Sequence, residues 1–320
     1  MNLTVRRYRD EDDYWRIREF LRRVYILNDR HEYSWQVARL DYWRWHVIDN
    51  SKLNTSVEDV TFIWETDDGE IASVLNSENR GEVYLQIDPR LRSQELEEEM
   101  MSVAEEKLAI PKPDGGKEVT TWVHANDELR KKITRCRGYV KGEDCEHQHT
   151  RQLASPIPDE PVPAGYTVRS LGGEKELPAR SWASWRSFHP SEPKEKYQGW
   201  EWYRNIQRMP LYRRDLDIVA AADDGTIAAF ATLWYDDVTR AGYFEPVGRV
   251  PEHQVRGLTR AVLYEAMRRL KKMGGLVASV GGYSFGAKVL YASVTSMEYD
   301  LSEPWVKVLQ TDNKVSAEVV

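Results

Sequence analysis

The chain repeats itself. The stretch "LTVRRY", residues 3–8, returns as "YTVRSL" at 166–171, and "WETDDGEIASV", residues 64–74, returns as "VAAADDGTIAAF" at 219–230. In both copies Asp-Asp-Gly separates two apolar runs, which is how a tight β-hairpin reads. A period of about 160 residues is far too long for a solenoid unit and indicates a duplicated domain. Between the copies lies "ASPIPDEPVPAG", residues 154–165, with four prolines in twelve positions. Proline removes a backbone donor and interrupts regular structure, so this stretch reads as a linker. The expected organisation is a first domain over 1–153, the linker over 154–165 and a second domain over 166–320, each long enough for its own core.

Each half reads as strand, helical region, hairpin, strand, long helix, strand, helix and final strand. That order describes a mixed sheet with helices packed on it, in the α/β or α+β class. In the second half Leu258, Val262, Leu263, Ala266, Met267 and Leu270 recur at helical spacing, while Arg260, Glu265, Arg268, Lys271 and Lys272 occupy the other side. A net charge of -7 and a pI near 5.7 argue against nucleic acid as a partner, because phosphate binding needs a basic face. No run of about 18 uninterrupted apolar residues occurs, so no membrane partner and a soluble, cytoplasmic protein are expected. The two cysteines, Cys136 and Cys145, lack the CxxC spacing and suit a reducing compartment. Cys145, His147 and His149 alternate onto one face of a strand, but a fourth zinc ligand is missing and no metal is expected.

Residues 251–274, "PEHQVRGLTRAVLYEAMRRLKKMG", follow a strand-like run, pass a loop containing Gly257 and enter the long helix. Such a helix start leaves several backbone N–H groups unpaired and aimed at one spot, where an anion is stabilised by the helix dipole. Neither G-x-x-x-x-G-K-S/T nor G-x-G-x-x-G is present there. The run Gln254-Val255-Arg256-Gly257-Leu258-Thr259 instead resembles the Q/R-x-x-G-x-G/A signature of the GNAT superfamily of acyl-CoA-dependent N-acyltransferases. "FEPVGRVP" is similar to the family's fourth strand, "RRLKKMGGLVASV" to the stretch that follows, and "AKVLYASVTSMEYD" to its later helix. The resemblance covers residues 164–310. It implies a tandem duplicated GNAT fold, each half a mixed, mostly antiparallel twisted sheet flanked by helices, in a layout similar to that of the tandem GNAT proteins that make mycothiol. It also implies acetyl-CoA as co-substrate, with residues 254–259 around its pyrophosphate. Three positions depart from the family pattern. Thr259 stands for the usual glycine or alanine, Ser284 for an asparagine that contacts the cofactor, and Thr295-Ser296 for Gly-Phe. A threonine can cap a helix start, so weakened rather than abolished cofactor binding is expected.

The first half resembles the family more faintly, through "VYLQIDPRLRSQELEEEMMSVAEEKL" and "NDELRKKITRCRGYV". Where the signature wants glycine, its loop and helix start offer Glu95, Glu97, Glu98 and Glu99. Carboxylates there satisfy the dipole themselves and repel a pyrophosphate, so this half is expected not to bind coenzyme A.

Acyl transfer to an amine needs a neutral amine, a stabilised oxyanion and a proton for the leaving thiolate. At pH 7 only about one alkylamine in a thousand is neutral, so a base or water relay matters. The resemblance puts Glu245 in that role, and strand alternation places it on a face with Tyr243 and Val247. Pro246 cannot donate to a ladder, so the strand bulges there or lies at an opening of the sheet. An opening would free the amides around Val247, Gly248 and Val250 for the pantetheine arm and the thioester carbonyl. Tyr291 aligns with the family's tyrosine near the thioester sulfur and is the expected acid. His189 is a second candidate base. The region "SWASWRSFHPSEPKEKYQGWEWYRNIQ" is rich in aromatic residues. Trp182, Trp185 and Tyr203 fall at core spacing, while others could stack on a flat or cationic acceptor, with Glu201 able to pair with an ammonium. A small-molecule amine is the expected acceptor. The competing readings are a non-catalytic binding module and an enzyme acting on peptide amines.

Overall fold

The computed structural model of the protein describes residues 2–50, 55–113, 115–255 and 257–310. In chain order the strands are β1 (Leu3–Arg7), β2 (Thr61–Thr66), β3 (Ile71–Ser77), β4 (Glu82–Ile87), β5 (Ile110–Pro111), β6 (Lys117–His124), β7 (Val140–Lys141), β8 (Glu146–Gln152), β9 (Tyr166–Ser170), β10 (Asp217–Ala222), β11 (Ile227–Asp236), β12 (Ala241–Arg249), β13 (Val277–Gly282) and β14 (Tyr299–Leu309). The α-helices are α1 (Glu11–Leu27), α2 (Val37–Tyr42), α3 (Val57–Val60), α4 (Gln94–Val103), α5 (Glu128–Cys136), α6 (Leu177–Phe188), α7 (Glu201–Ile206), α8 (Leu258–Lys272) and α9 (Phe285–Val294). None is long and apolar enough to cross a membrane.

Two compact units result. The first comprises Met1–Ser34, Thr55–Cys145 and Leu301–Val320, the second Trp35–Asn54 and Glu146–Asp300. This corrects the division expected at 153 and 166. The final strand of each unit comes from the other half of the sequence, and α2 with the turn after it belongs to the second unit. The physical reason is strand pairing. Residues 147–152 of β8 run antiparallel to β13, and residues 302–309 of β14 run antiparallel to β6.

The order within the first unit is β1-β2-β3-β4-β6-β14, and within the second β8-β13-β12-β11-β10-β9. Each sheet is antiparallel except at one place, β4 beside β6 and β12 beside β13, where a helix makes the crossover. The Asp-Asp-Gly turns fall where the repeat puts them. Gly69 and Gly225 take φ of 84° and 86°, a left-handed conformation that glycine adopts without strain, and each closes a hairpin.

Both faces of the second sheet are buried, which explains the near-continuous apolar runs of β10 and β11. One face packs on α8 and α9, where Leu258, Val262, Leu263, Ala266, Met267 and Leu270 are fully buried against Ile218, Ala231, Leu233 and Phe244. The other packs Val37 and Ala38 of α2, Leu177 and Ala183 of α6, and Tyr203 and Ile206 of α7 against Val219, Phe230, Trp234 and Tyr243. Tyr203 is core, as its spacing indicated. Trp182 and Trp185 are not: they stay half-buried, their rings tilted against each other at 5.3 Å.

That second face is organised around one buried ion pair. Arg180 Nε of α6 donates to Asp217 Oδ1 of β10 at 3.2 Å, with both side chains fully buried. Thr232 and the hydroxyls of Tyr203 and Tyr212 also donate to Asp217, and the guanidinium lies 3.8 Å over the Phe230 ring. Truncating one partner leaves the other charge buried and uncompensated. Asp217→Ala is therefore expected to destabilise the second unit by about 3–5 kcal/mol in urea unfolding. A loss under about 1 kcal/mol, the size of a single neutral hydrogen bond, would contradict this reading of the pair.

Candidate active site

The site starts from an interruption of β12. Ala231 of β11 pairs with Val247 and Leu233 with Phe244, so Glu245 and Pro246 together oppose the single residue Thr232. This is a β-bulge, and Pro246, with no N–H, sits in it. On the other edge, the parallel pairing of β12 with β13 runs from Ala241↔Val277 to Phe244↔Val280 and stops there. Beyond Phe244, β12 keeps only one neighbour, and a gap opens in the sheet.

The direction of each amide follows from the ladder. Val250 N donates to Ala228 O at 2.9 Å. Bonded and non-bonded pairs alternate in an antiparallel ladder, so Gly248 also faces β11 while the amides of Val247 and Arg249 point into the gap. Val250 is thus removed from the expected set: its N–H is engaged and its side chain is buried in the core. Gly248 has a packing reason as well, since a Cβ there would collide with the Phe230 ring. The bulge also breaks the alternation assumed for Glu245, because Tyr243 packs with α2 and α6 whereas Val247 packs towards α8.

A cavity of about 410 Å³ fills this gap, within the range of small-molecule sites. The end of β12 forms one wall, Val255, Gly257, Thr259 and Arg260 another, and Gly286, Ala287, Leu290 and Tyr291 of α9 a third. Gly257 is the N-cap of α8, with φ of 87° and no side-chain cap, and the helical bonds begin with Ala261 N on Gly257 O at 2.9 Å. The N–H groups of Leu258, Thr259 and Arg260 therefore lack intrahelical acceptors, and no acidic residue lies in the first turn. Thr259 does not cap the helix as expected, because it lies inside the first turn, past the N-cap. Leu258 is core, Gln254 is exposed away from the cavity lining, and Arg256 lies outside the described residues. Ser284 is the N-cap of α9, its Oγ accepting from Ala287 N at 3.1 Å.

Tyr291 is buried in the second turn of α9 and lines the cavity. Burial raises its hydroxyl pKa well above the usual tyrosine value, and the charge of Glu245 raises it further. The phenol is protonated at neutral pH, and the two expected catalytic groups lie close enough to interact electrostatically. Gly282 makes room for this ring: a Cβ there would stand 3.0 Å from both Tyr291 Cε2 and Ala287 Cβ. His189 and Glu201 serve local roles instead. The His189 ring caps the end of α6 on Trp185 O at 2.9 Å, and Glu201 accepts from Trp200 N at 3.0 Å. Among the described residues no three His, Cys, Asp or Glu side chains are placed to hold a metal.

Residues 35–50 add a group that the division at 153 concealed, although the aromatic run "DYWRWHV" was its signal. Tyr42 stands 6.2 Å from Trp234, whose indole donates to Glu245 O at 2.5 Å. His46, in a π-helical turn (Trp43–Ile48), sits between Tyr42 and Trp202 at 4.8 and 5.2 Å. Asn50 Nδ2 donates to Trp202 O, so it also donates to His46 Nδ1 at 3.2 Å and leaves the imidazole hydrogen on Nε2. In the first unit the corresponding helix start is closed. Ser93 caps α4, and Glu97 is buried between Arg92 and Arg130, with Arg130 Nε 2.8 Å away.

Burial lowers the His46 pKa to about 4 from an ordinary 6.5. A folded-state pKa below the unfolded one means that His46 supports folding fully above about pH 6.5 and that this support is lost as pH falls towards about 4. The acid-side loss of stability should flatten in His46→Gln, measured by unfolding at stepped pH. An unchanged profile would contradict the burial.

Residues 178–292 match the model of the Acetyltransferase (GNAT) family. A comparison with curated proteins finds no match. Among solved structures, a GCN5-related N-acetyltransferase from Sphaerobacter thermophilus is similar at 17% identity and a TM-score of 0.66, covering 97% of this chain and 96% of that one. A tandem GNAT protein from the clavulanic acid biosynthesis pathway is similar at 11% identity and a TM-score of 0.65, covering 98% and 100%. An N-myristoyltransferase from Saccharomyces cerevisiae shares the fold at 12% identity and a TM-score of 0.52, covering 95% and 80%. With its two similar units the chain has a tandem GNAT fold, and the matched segment, residues 178–292 of the second unit, is similar to the acetyltransferases of the GNAT family.

Proposed function

We propose that the second unit transfers acetyl from acetyl-CoA to the amine of a small molecule, and that the first unit binds no coenzyme A. The observation that carries this reading is the gap beside β12, which brings unpaired helix N–H groups, outward strand amides and a protonated phenol around one cavity, with Glu245 near enough to that phenol to act on it electrostatically. Acetyl-CoA fits the lining. The open start of α8 suits the pyrophosphate, Arg249 and Arg260 supply positive charge, and Val247 with Arg249 offers amides along the gap as the edge of a further strand would.

Glu245 takes a proton from the acceptor ammonium, directly or through water. The neutral amine then attacks the thioester carbonyl, whose oxygen gains charge beside the Val247 amide. The C–N bond forms, the C–S bond breaks, Tyr291 donates its proton to the departing sulfur, and the second proton of the attacking nitrogen passes to the tyrosinate, directly or through water, leaving the neutral amide and the phenol restored. The charge of Glu245 is one of the two causes holding the Tyr291 proton in place. Once Glu245 is protonated that cause disappears and the phenol becomes a better acid, so base and acid act in order. The closed start of α4 supports the assignment of coenzyme A to the second unit alone.

With an accepted amine and acetyl-CoA, thiol release should depend on both groups. Glu245→Gln should lower kcat/KM for the amine by about 10²- to 10⁴-fold and move the pH optimum upward, because more amine must then be neutral on its own. Tyr291→Phe should lower kcat while coenzyme A binding is retained. Full activity in both variants would overturn the roles, and an absence of thiol release with any amine despite coenzyme A binding would favour a non-catalytic binding module.

A further inference from the structure

The linker does not hang free. Lys271 Nζ donates to Ala154 O and Ser155 O at 3.3 and 3.2 Å, Arg268 Nη1 to Pro158 O at 3.1 Å, and Arg260 Nη1 lies 3.5 Å from Glu160 Oε1. Arg151 adds a bond to Pro156 O at 2.6 Å, and Ile157 packs against the core beneath. Residues 260, 268 and 271 share one face of α8, so the linker runs back along the helix from its C-terminal end to its N-terminal end. The lengths agree. Eleven helical residues span about 16 Å, and the six steps from 154 to 160 span about 20 Å when extended.

This strap ends over the candidate pyrophosphate position. Glu160 Oε1 stands 2.9 Å from where a Cβ of Gly257 would be, at the N-cap of α8 and the rim of the cavity. We infer that the Glu160 carboxylate is an internal competitor of the cofactor's pyrophosphate. It occupies the positive end of the helix dipole and engages Arg260, and it must be displaced, or its repulsion borne, when coenzyme A binds. The inference rests on the proposed cofactor site. It explains why a helix start with no acidic residue in its first turn and no side-chain cap is not left bare: the missing carboxylate arrives from a distant part of the sequence.

The test compares wild type with Glu160→Gln, titrating each by calorimetry with coenzyme A and with pantetheine, which lacks the pyrophosphate. Removing the charge should lower the coenzyme A Kd about five- to tenfold, while pantetheine affinity stays the same. Equal tightening for both ligands would mean that the variant merely loosens the strap and would overturn the competition. An unchanged coenzyme A Kd, with wild type binding normally, would overturn this inference and leave the proposed function standing. Failure of both proteins to bind coenzyme A would sink the proposed function and this inference with it.

Discussion

The candidate site depends on the point at which β12 parts from β13. Pairing ends at Phe244 and Val280, just where Glu245 and Pro246 oppose a single residue of β11. Without that bulge the two strands would continue side by side, the Val247 and Arg249 amides would bond to β13, and no cavity would exist. The same interruption turns Val247 towards α8 and leaves the Glu245 backbone held by Trp234. α9 then enters over Gly282, where any side chain would press on Tyr291 and Ala287. One local break in a ladder thus opens the space that the end of β12 shares with Tyr291.

The two units show what a duplicated fold keeps and what it changes. Both retain the hairpin, the single parallel pair and the crossover helix. They differ at the start of that helix. In the first unit Ser93 occupies the cap and Glu97 is locked between two arginines, so the helix end is satisfied from within. In the second, Gly257 caps nothing with a side chain, and the nearest carboxylate is borrowed from the linker.

Much of the fold was legible because it rests on local, periodic signals. The Asp-Asp-Gly turns need only three residues to be recognised, and the buried stripe of α8 repeats at 3.6-residue spacing over fifteen residues. Gly257, Val247 and Tyr291 were legible through the family's spacing. What failed required contacts between distant segments. The bulge shifted Val250 onto β11, and a register of bonded and non-bonded pairs cannot be read from one strand. The exchange of β8 and β14 left no mark in composition, so Tyr42 and His46 were assigned to the wrong half. Arg260, Arg268 and Lys271 looked like a solvated face because nothing in the sequence says that a proline-rich stretch, about a hundred residues upstream, lies on them.

The most direct test of the central claim reads the backbone amides themselves. Hydrogen exchange of the full chain, with and without coenzyme A, should show new protection confined to the amides of Val247, Arg249, Leu258, Thr259 and Arg260, with residues 93–97 at the start of α4 unchanged. Protection at 93–97, or none at the start of α8, would contradict the account.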